Sequence, residues 1–306
     1  MIYLFSFFSF LLLLIIFRSY ASKFQLIDKP NYRKQHQGEI PLVGGLIIYF
    51  NIFIYSFFFD ISFYMNTILL TSIILVLLGA LDDAIEIGVV FRLITQLICC
   101  LIVIGSGLVI NNIGNYMFMP NIQIGILSVV FTVFCVIGLT NSFNFIDGVD
   151  GLCASLALIS VLSVIIISFL NKTVLFLEDF NFLILFSLTI FIFIIFNMTE
   201  YFKIFLGDSG SMFLGFIVAW ILILTSQSEN QIIHPVLTIW CVTLPVFDIT
   251  SVVIRRMLRR INPFKPDRRH VHHILIEMGY DKYSTTTIIV ILSIVLNSFG
   301  FLIYYL

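Results

Sequence analysis

Four acidic islands stand out in a chain that otherwise carries little charge: Asp82-Asp83, Asp147-Gly148-Val149-Asp150, Gly207-Asp208-Ser209-Gly210-Ser211 and Asp248. A basic, histidine-rich island follows at Arg268-Arg269-His270-Val271-His272-His273. Carboxylates suit a hard cation such as Mg2+, which takes one or two of them together with phosphate oxygens. Arginine forks bind phosphate through paired, charge-assisted hydrogen bonds. Carboxylates flanking apolar runs, joined to a cluster of cations, point to a metal-dependent phosphate site at a membrane surface.

Each island also has a plainer reading. Asp82-Asp83 closes Leu78-Gly79-Ala80-Leu81, and two adjacent acids can simply end a helix in solvent; without a cation they repel each other. Asn141, Asn144, Asp147 and Asp150 recur every third residue, a spacing that faces one cleft if the turn is helical. Helix capping accounts for one or two of those four residues, not for all. Ser209 or Ser211 is expected to N-cap the helix that follows, whose amide end favours an anion, and Asp208 beside it is placed to hold Mg2+. The motif lacks the Gly-Lys-Ser/Thr ending of a P-loop.

The last basic loop holds Arg255, Arg256, Arg259, Arg260, Lys265, Arg268 and Arg269 against Asp267, a local charge of seven minus one, or +6. Part of it serves topology and lipid headgroups. Among His270, His272 and His273 the flanking arginines disfavour a second cation and favour phosphate, with metal ligation as the alternative. A further island runs from Asp28-Lys29-Pro30-Asn31-Tyr32-Arg33-Lys34 through His36 to Pro41-Leu42-Val43-Gly44-Gly45. His234, Asp60, Glu178 and Asp179 read as structural.

The elements that must position these groups are apolar. Hydrophobic residues make up 60% of the 306 residues and charged ones 11%, with mean hydropathy +1.11. Soluble domains are nearer half apolar and a quarter charged. Ten apolar stretches, about 1–20, 42–59, 63–81, 92–110, 122–139, 150–170, 181–198, 212–227, 234–254 and 285–306, predict an all-α polytopic membrane protein of about ten transmembrane helices. The loops then alternate sides. Of 16 Lys and Arg, only Lys172 falls on one side and 15 on the other. That makes the second side cytoplasmic, with both termini periplasmic and every chemically loaded island on the cytoplasmic face. Transporters hold ionisable groups near the midplane, so a transporter is the weaker alternative. The five cysteines lie in apolar runs without CxxC spacing, which speaks against a disulfide framework or thiolate site. Met1–Phe17 reads as a span, since its positive charges follow it. A single integral membrane domain over 1–306 is expected.

The ordered set DKPNYRK…PLVGG, LGALDD, NSFNFIDGVDGL, FLGDSGS, PVFD and PFKPDRRHVHH resembles the polyprenyl-phosphate N-acetylhexosamine-1-phosphate transferases over nearly the whole chain. The PDRRHVHH ending, with His234-Pro235, looks most like the branch that uses UDP-GlcNAc and undecaprenyl phosphate. The resemblance implies that Asp82 and Asp83 serve the lipid phosphate, one as the base that deprotonates it. It implies that Asp208 binds Mg2+, or Mn2+ in its place. It assigns Asn144, Asp147 and Asp150 to the nucleotide-sugar pocket, and His270, His272 and His273 with Arg268 or Arg269 to the diphosphate or sugar. Lys34 and Arg92 are further phosphate contacts. The implied partners are UDP-GlcNAc, undecaprenyl phosphate and membrane lipid, with no nucleic acid, and the oligomeric state stays open, a homodimer included. The implied reaction is phosphoryl transfer in a bacterial inner membrane, beginning an O-antigen, enterobacterial common antigen or other envelope glycan. A sister enzyme using another UDP-N-acetylated sugar is the alternative.

Overall fold

Long runs of Leu, Ile, Phe and Val become helix because in an apolar medium each backbone N–H and C=O must find its partner within the segment. A computed structural model describes residues 2–29, 38–58, 60–116, 122–171, 177–227, 232–260 and 270–306. Its elements are α1 (Ile2–Tyr20), β1 (Ile27–Asp28), β2 (Ile40–Pro41), α2 (Gly44–Ser56), α3 (Phe63–Ile85), α4 (Val89–Gly105), α5 (Ser128–Ile146) and α6 (Leu152–Leu170). There follow α7 (Leu177–Met198), α8 (Gly207–Gln227), α9 (Pro235–Cys241), α10 (Thr243–Leu258), α11 (Val271–Glu277) and α12 (Lys282–Tyr305).

Helix forms at each of the ten apolar stretches. Among the described residues, seven helices are long and apolar enough to cross a bilayer: α1, α3, α5 with the 3-10 turn before it, α6, α7, α8 and α12. The α9–α10 pair, bent by 79°, brings the number to eight if it counts as one span. Helices α2, with 13 residues, and α4, with 17, are shorter. At 1.5 Å per residue they reach about 20 and 25 Å, against a hydrocarbon core of about 30 Å. The chain is therefore a polytopic, multi-pass membrane protein, and helix length supports seven to eight of the ten expected crossings.

Helix α8 is the centre. It packs against α2, α3, α5, α6 and α9, and nearly all of its side chains are buried, Phe213, Phe216 and Trp220 completely. The large exposed residues lie on outer helices, such as Val130 and Phe134 of α5 or Ile291 and Val295 of α12. That is the pattern expected when lipid is the solvent.

The bend between α9 and α10 has a covalent cause. Pro245 has no N–H, so the Cys241 carbonyl four residues back loses its helical donor. Ser160 of α6 takes its place, its hydroxyl shared between Cys241 O at 2.8 Å and Leu156 O at 2.9 Å. At one end of the bundle, β1 and β2 pair antiparallel, and Leu42 pairs with Phe205. The residues leading into α2 are thereby joined to those leading into α8. At the other end, His234 accepts the Val236 N–H as the N-cap of α9 and contacts Asn115 O through Nε2. Asp179 accepts the Ser62 N–H at 3.3 Å. Both are structural, as the sequence suggests.

The acidic motifs sit on helix ends rather than in loops. Helix α3 runs four residues beyond its apolar stretch and carries Asp82 and Asp83 in its last turn; α5 continues to Ile146; α8 begins at Gly207. Hydropathy marks where side chains become polar, whereas the backbone ladder continues until a capping geometry stops it. For α3 that stop is Glu86, left-handed at φ 52°.

Candidate active site

The last turns of α3 and α5 meet the first turn of α8. The first N–H groups of a helix have no partner within it and form its positive end. Here the partner is Asp83: Oδ1 accepts the Asp208 N–H at 2.9 Å and Oδ2 the Ser209 N–H at 3.4 Å. The expected cap at Ser209 or Ser211 is thus corrected. Both serines lie inside the first turn, and the cap comes from another helix 125 residues earlier. No local spacing could have signalled it.

Two glycines permit this approach. A Cβ on Gly45 of α2 would meet the backbone of Ser209 and Gly210, and one on Gly79 of α3 would meet that of Asp208 and Ser209. The first turn of α8 is clamped from both sides by residues without side chains.

Around Asp83 the other groups gather. Asp82, 6% exposed, receives Arg92 Nη1 at 2.6 Å on Oδ2 and the Ile87 N–H on Oδ1. Arg92 of α4 also reaches Asp208 Oδ2 at 3.4 Å. Asn144 of α5 donates through Nδ2 to Asp208 Oδ1 at 2.8 Å and to Ser211 Oγ at 2.9 Å. Gln96, one turn after Arg92 on the same face of α4, is bonded to Asn141 through paired amides. The sequence reading passed over Gln96, although the i, i+4 spacing from Arg92 was visible.

Asp147 stands just past the end of α5. Its surroundings hold its carboxyl well above the usual carboxylate range, chiefly by burial and then through the neighbouring Asp208, Asp83 and Asp150 carboxylates. Asp150 is drawn elsewhere: it pairs with Lys203 Nζ at 2.6 Å. The three-residue periodicity does not put all four polar residues in one cleft, because α5 ends at Ile146 and the rest follow a turn. Asn144 and Asp147 adjoin Asp208; Asn141 pairs with Gln96 and Asp150 with Lys203. Lys203 was not foreseen as the partner of Asp150.

The histidine cluster packs against the same turn. His272 is 1% exposed, and neither ring nitrogen has a hydrogen-bond partner. A Cβ on Gly148 would collide with its Nε2, so glycine is needed for this approach. Burial, then His273 and His270, push its pKa down from 6.5 to about 3. Thus His272 is neutral, and any phosphate charge must be met by its neighbours. His273 lies 4.2 Å from it, ring to ring. His270 pairs with Asp248 at 2.6 Å and stacks on Phe145. Lys34, Arg268 and Arg269 lie outside the described residues.

Asp208 is more open than Asp82, its side chain 36% exposed against 5%. With Asp83 and Asp147 near, it presents hard oxygen ligands that would repel one another without a cation. Among the described residues no three His, Cys, Asp or Glu side chains form a ready cage. An ion that takes one or two carboxylates and completes its shell from phosphate and water fits this donor set.

Comparison with known proteins bears on this arrangement directly. Residues 65–226, which hold α3 to α8 and the whole carboxylate cluster, match the model of glycosyl transferase family 4. The chain is 34% identical over 312 residues to the undecaprenyl-phosphate alpha-N-acetylglucosaminyl 1-phosphate transferase of Escherichia coli K12, covering 99% of this chain and 83% of that protein. The proteins of the same name from Salmonella typhi and Haemophilus influenzae are 33% and 31% identical, covering 92% and 96% of this chain and 78% and 84% of theirs. A polytopic helical protein with this site and these relatives is a membrane phosphoglycosyltransferase. The chain belongs to glycosyl transferase family 4.

Proposed function

We propose that this protein transfers GlcNAc-1-phosphate from UDP-GlcNAc to undecaprenyl phosphate, giving undecaprenyl-diphospho-GlcNAc and UMP. The observation that carries the reading is the convergence of Asp82, Asp83, Asn144, Asp147 and Asp208 with Arg92 at four helix ends, in a chain whose relatives bear that name. A phosphate oxygen of the lipid attacks the β-phosphorus of the donor. The bond from that phosphorus to the bridging oxygen breaks, and the oxygen leaves with UMP. Asp82 and Asp83 serve the lipid phosphate, and one of them takes its proton. Asn144 fixes the orientation of Asp208. Asp147 and Asp150 shape the nucleotide-sugar pocket, and His270, His272 and His273 with Arg268 or Arg269 bind the diphosphate or sugar. Lys34 and Arg92 add cations along the phosphate path. Mg2+, or Mn2+ in its place, held by Asp208 with a neighbouring carboxylate, would screen the approach of two anions.

The side of the membrane follows from charge. With ten crossings, fifteen of 16 Lys and Arg would fall on the side of this site, which supports a cytoplasmic active face, periplasmic termini and residence in a bacterial inner membrane. Helices α2 and α4 would complete ten crossings. The product would begin an O-antigen or enterobacterial common antigen type of glycan.

The test uses purified protein in detergent with undecaprenyl phosphate, Mg2+ and radiolabelled UDP-GlcNAc. Label entering the organic phase one-for-one with UMP, and lost in Asp208→Asn, is the expected result. UMP without labelled lipid, or labelled lipid only from another UDP-sugar, would overturn the assignment.

A further inference from the structure

Asp248 lies on α10, beyond the 79° bend, and is 3% exposed. Both of its oxygens are engaged: Oδ1 accepts the Val271 N–H at 2.9 Å, and Oδ2 lies 2.6 Å from His270 Nδ1. His270 is itself buried, forms the N-cap position of α11 without bonding that helix through its side chain, and stacks on Phe145 at 5.8 Å. Phe145 follows Asn144, which holds Asp208. The pair thus joins the bent helix to the carboxylate cluster through one aromatic ring.

A carboxylate can only accept, and one of its oxygens already takes a backbone N–H. The proton between Asp248 and His270 therefore belongs on Nδ1, the tautomer that leaves the Nε2 lone pair to accept. Holding the start of α11 needs only the bond to Val271. The second contact, buried and short, fixes a tautomer. We propose that Asp248 is a positioning residue for the transfer reaction: it holds His270 with its proton on Nδ1, so that Nε2 accepts a hydrogen bond from a hydroxyl or amide N–H of the sugar-nucleotide donor. The proposal rests on reading the chain as a UDP-sugar transferase.

Asp248→Asn separates this role from simple anchoring. The amide oxygen still takes the Val271 N–H, but the amide NH2 can only donate to Nδ1, which moves the ring proton to Nε2. Packing is preserved while the face offered to the donor is inverted; the same inversion in the serine protease triad costs about 10⁴-fold. Here a single donor contact is at stake, so kcat/KM for the UDP-sugar is expected to fall about 10- to 100-fold, with KM for the lipid acceptor and the melting temperature unchanged. Nitrogen-15 NMR of histidine-labelled protein in micelles should show His270 as the Nδ1–H form in the wild type and the Nε2–H form in the variant, assigned through the loss of its signals in His270→Gln. A wild-type ring protonated on Nε2 overturns the proposal, as does a variant that keeps wild-type kcat/KM. Should Asp248→Asn fail to fold, the wild-type tautomer still decides. If the wild type transferred no sugar phosphate from any UDP-sugar, the functional reading would fail while the tautomer measurement stood apart from it.

Discussion

Gly79→Ala is a severe change made by one methyl group. A Cβ at this position would fall on the Ser209 backbone and 2.6 Å from the Asp208 carbonyl carbon, whereas ordinary contact begins at 3.4 Å. Helices α3 and α8 would have to part by about 1 Å. The Asp83 Oδ1 to Asp208 N–H bond, 2.9 Å long, would then open toward 4 Å, outside hydrogen-bonding range. Overpacking costs about 1–3 kcal/mol, and weakening a charge-assisted bond adds about 1–2 kcal/mol. A displacement of about 1 Å at reacting groups lowers turnover roughly 100-fold. The assay is initial-rate UMP release in detergent, with thermal unfolding measured by circular dichroism. Gly138→Ala is the control, since nothing lies within 4 Å of a Cβ there, and it should leave turnover unchanged. A folded Gly79→Ala protein with turnover within about threefold of wild type would refute the claim that this contact positions the site.

Further outcomes follow from other contacts. Ser160→Ala leaves the Cys241 carbonyl without its donor at the Pro245 bend, and should lower stability by about 1–3 kcal/mol, read as a drop in melting temperature; no change would mean that the carbonyl finds another donor. Asp208→Asn keeps an oxygen for the Asn144 amide, so it should melt like the wild type while losing 100-fold or more, roughly, in metal-dependent turnover; full activity with or without EDTA would rule out its role as a ligand. His272, with its pKa near 3 against 6.5 for the free side chain, stays neutral in the folded protein while the unfolded chain takes up a proton. Its contribution is complete above pH 6.5 and is lost as pH falls below it, by about 2 kcal/mol at pH 5. Unfolding midpoints measured from pH 7 to 5 should fall less steeply in His272→Gln; equal slopes would contradict the neutral, buried ring.

Much of the site was legible because its residue types are expensive in a membrane and therefore conspicuous. Asp82, Asp83, Asn144, Asp147 and Asp208 were singled out by polarity, spacing and the family resemblance of their motifs, and these five do converge. Their partners were not legible. Asp83 caps a helix that starts 124 residues later, Asp248 meets a histidine 22 residues away, and Asp150 meets Lys203 across 53. Such pairs obey no period, so no window along the chain reveals them. Helix ends were misjudged for a related reason: hydropathy reports the solvent around side chains, while α3 and α8 carry their ladders through polar residues into the site. Helices α2 and α4 are shorter than their apolar stretches because apolar residues continue past their last hydrogen-bonded turn.

The central position of α8 sets an order of assembly. Of the helices it packs against most, α2, α3, α5 and α6 precede it in the chain and α9 follows. Chains emerge from the N-terminus, so α8 arrives after most of the walls that enclose it already exist. Until it docks, Asp83 has no amides to accept from, and Asn144 has neither Asp208 nor Ser211. A nascent chain halted before Gly207 therefore holds most of the acidic residues of the site yet lacks the helix terminus that organises them. The carboxylate cluster is completed in one step of synthesis, when a helix almost wholly shielded from lipid slides into a space bounded by glycine, and Asp248 and the histidines at 270–273 are added after it.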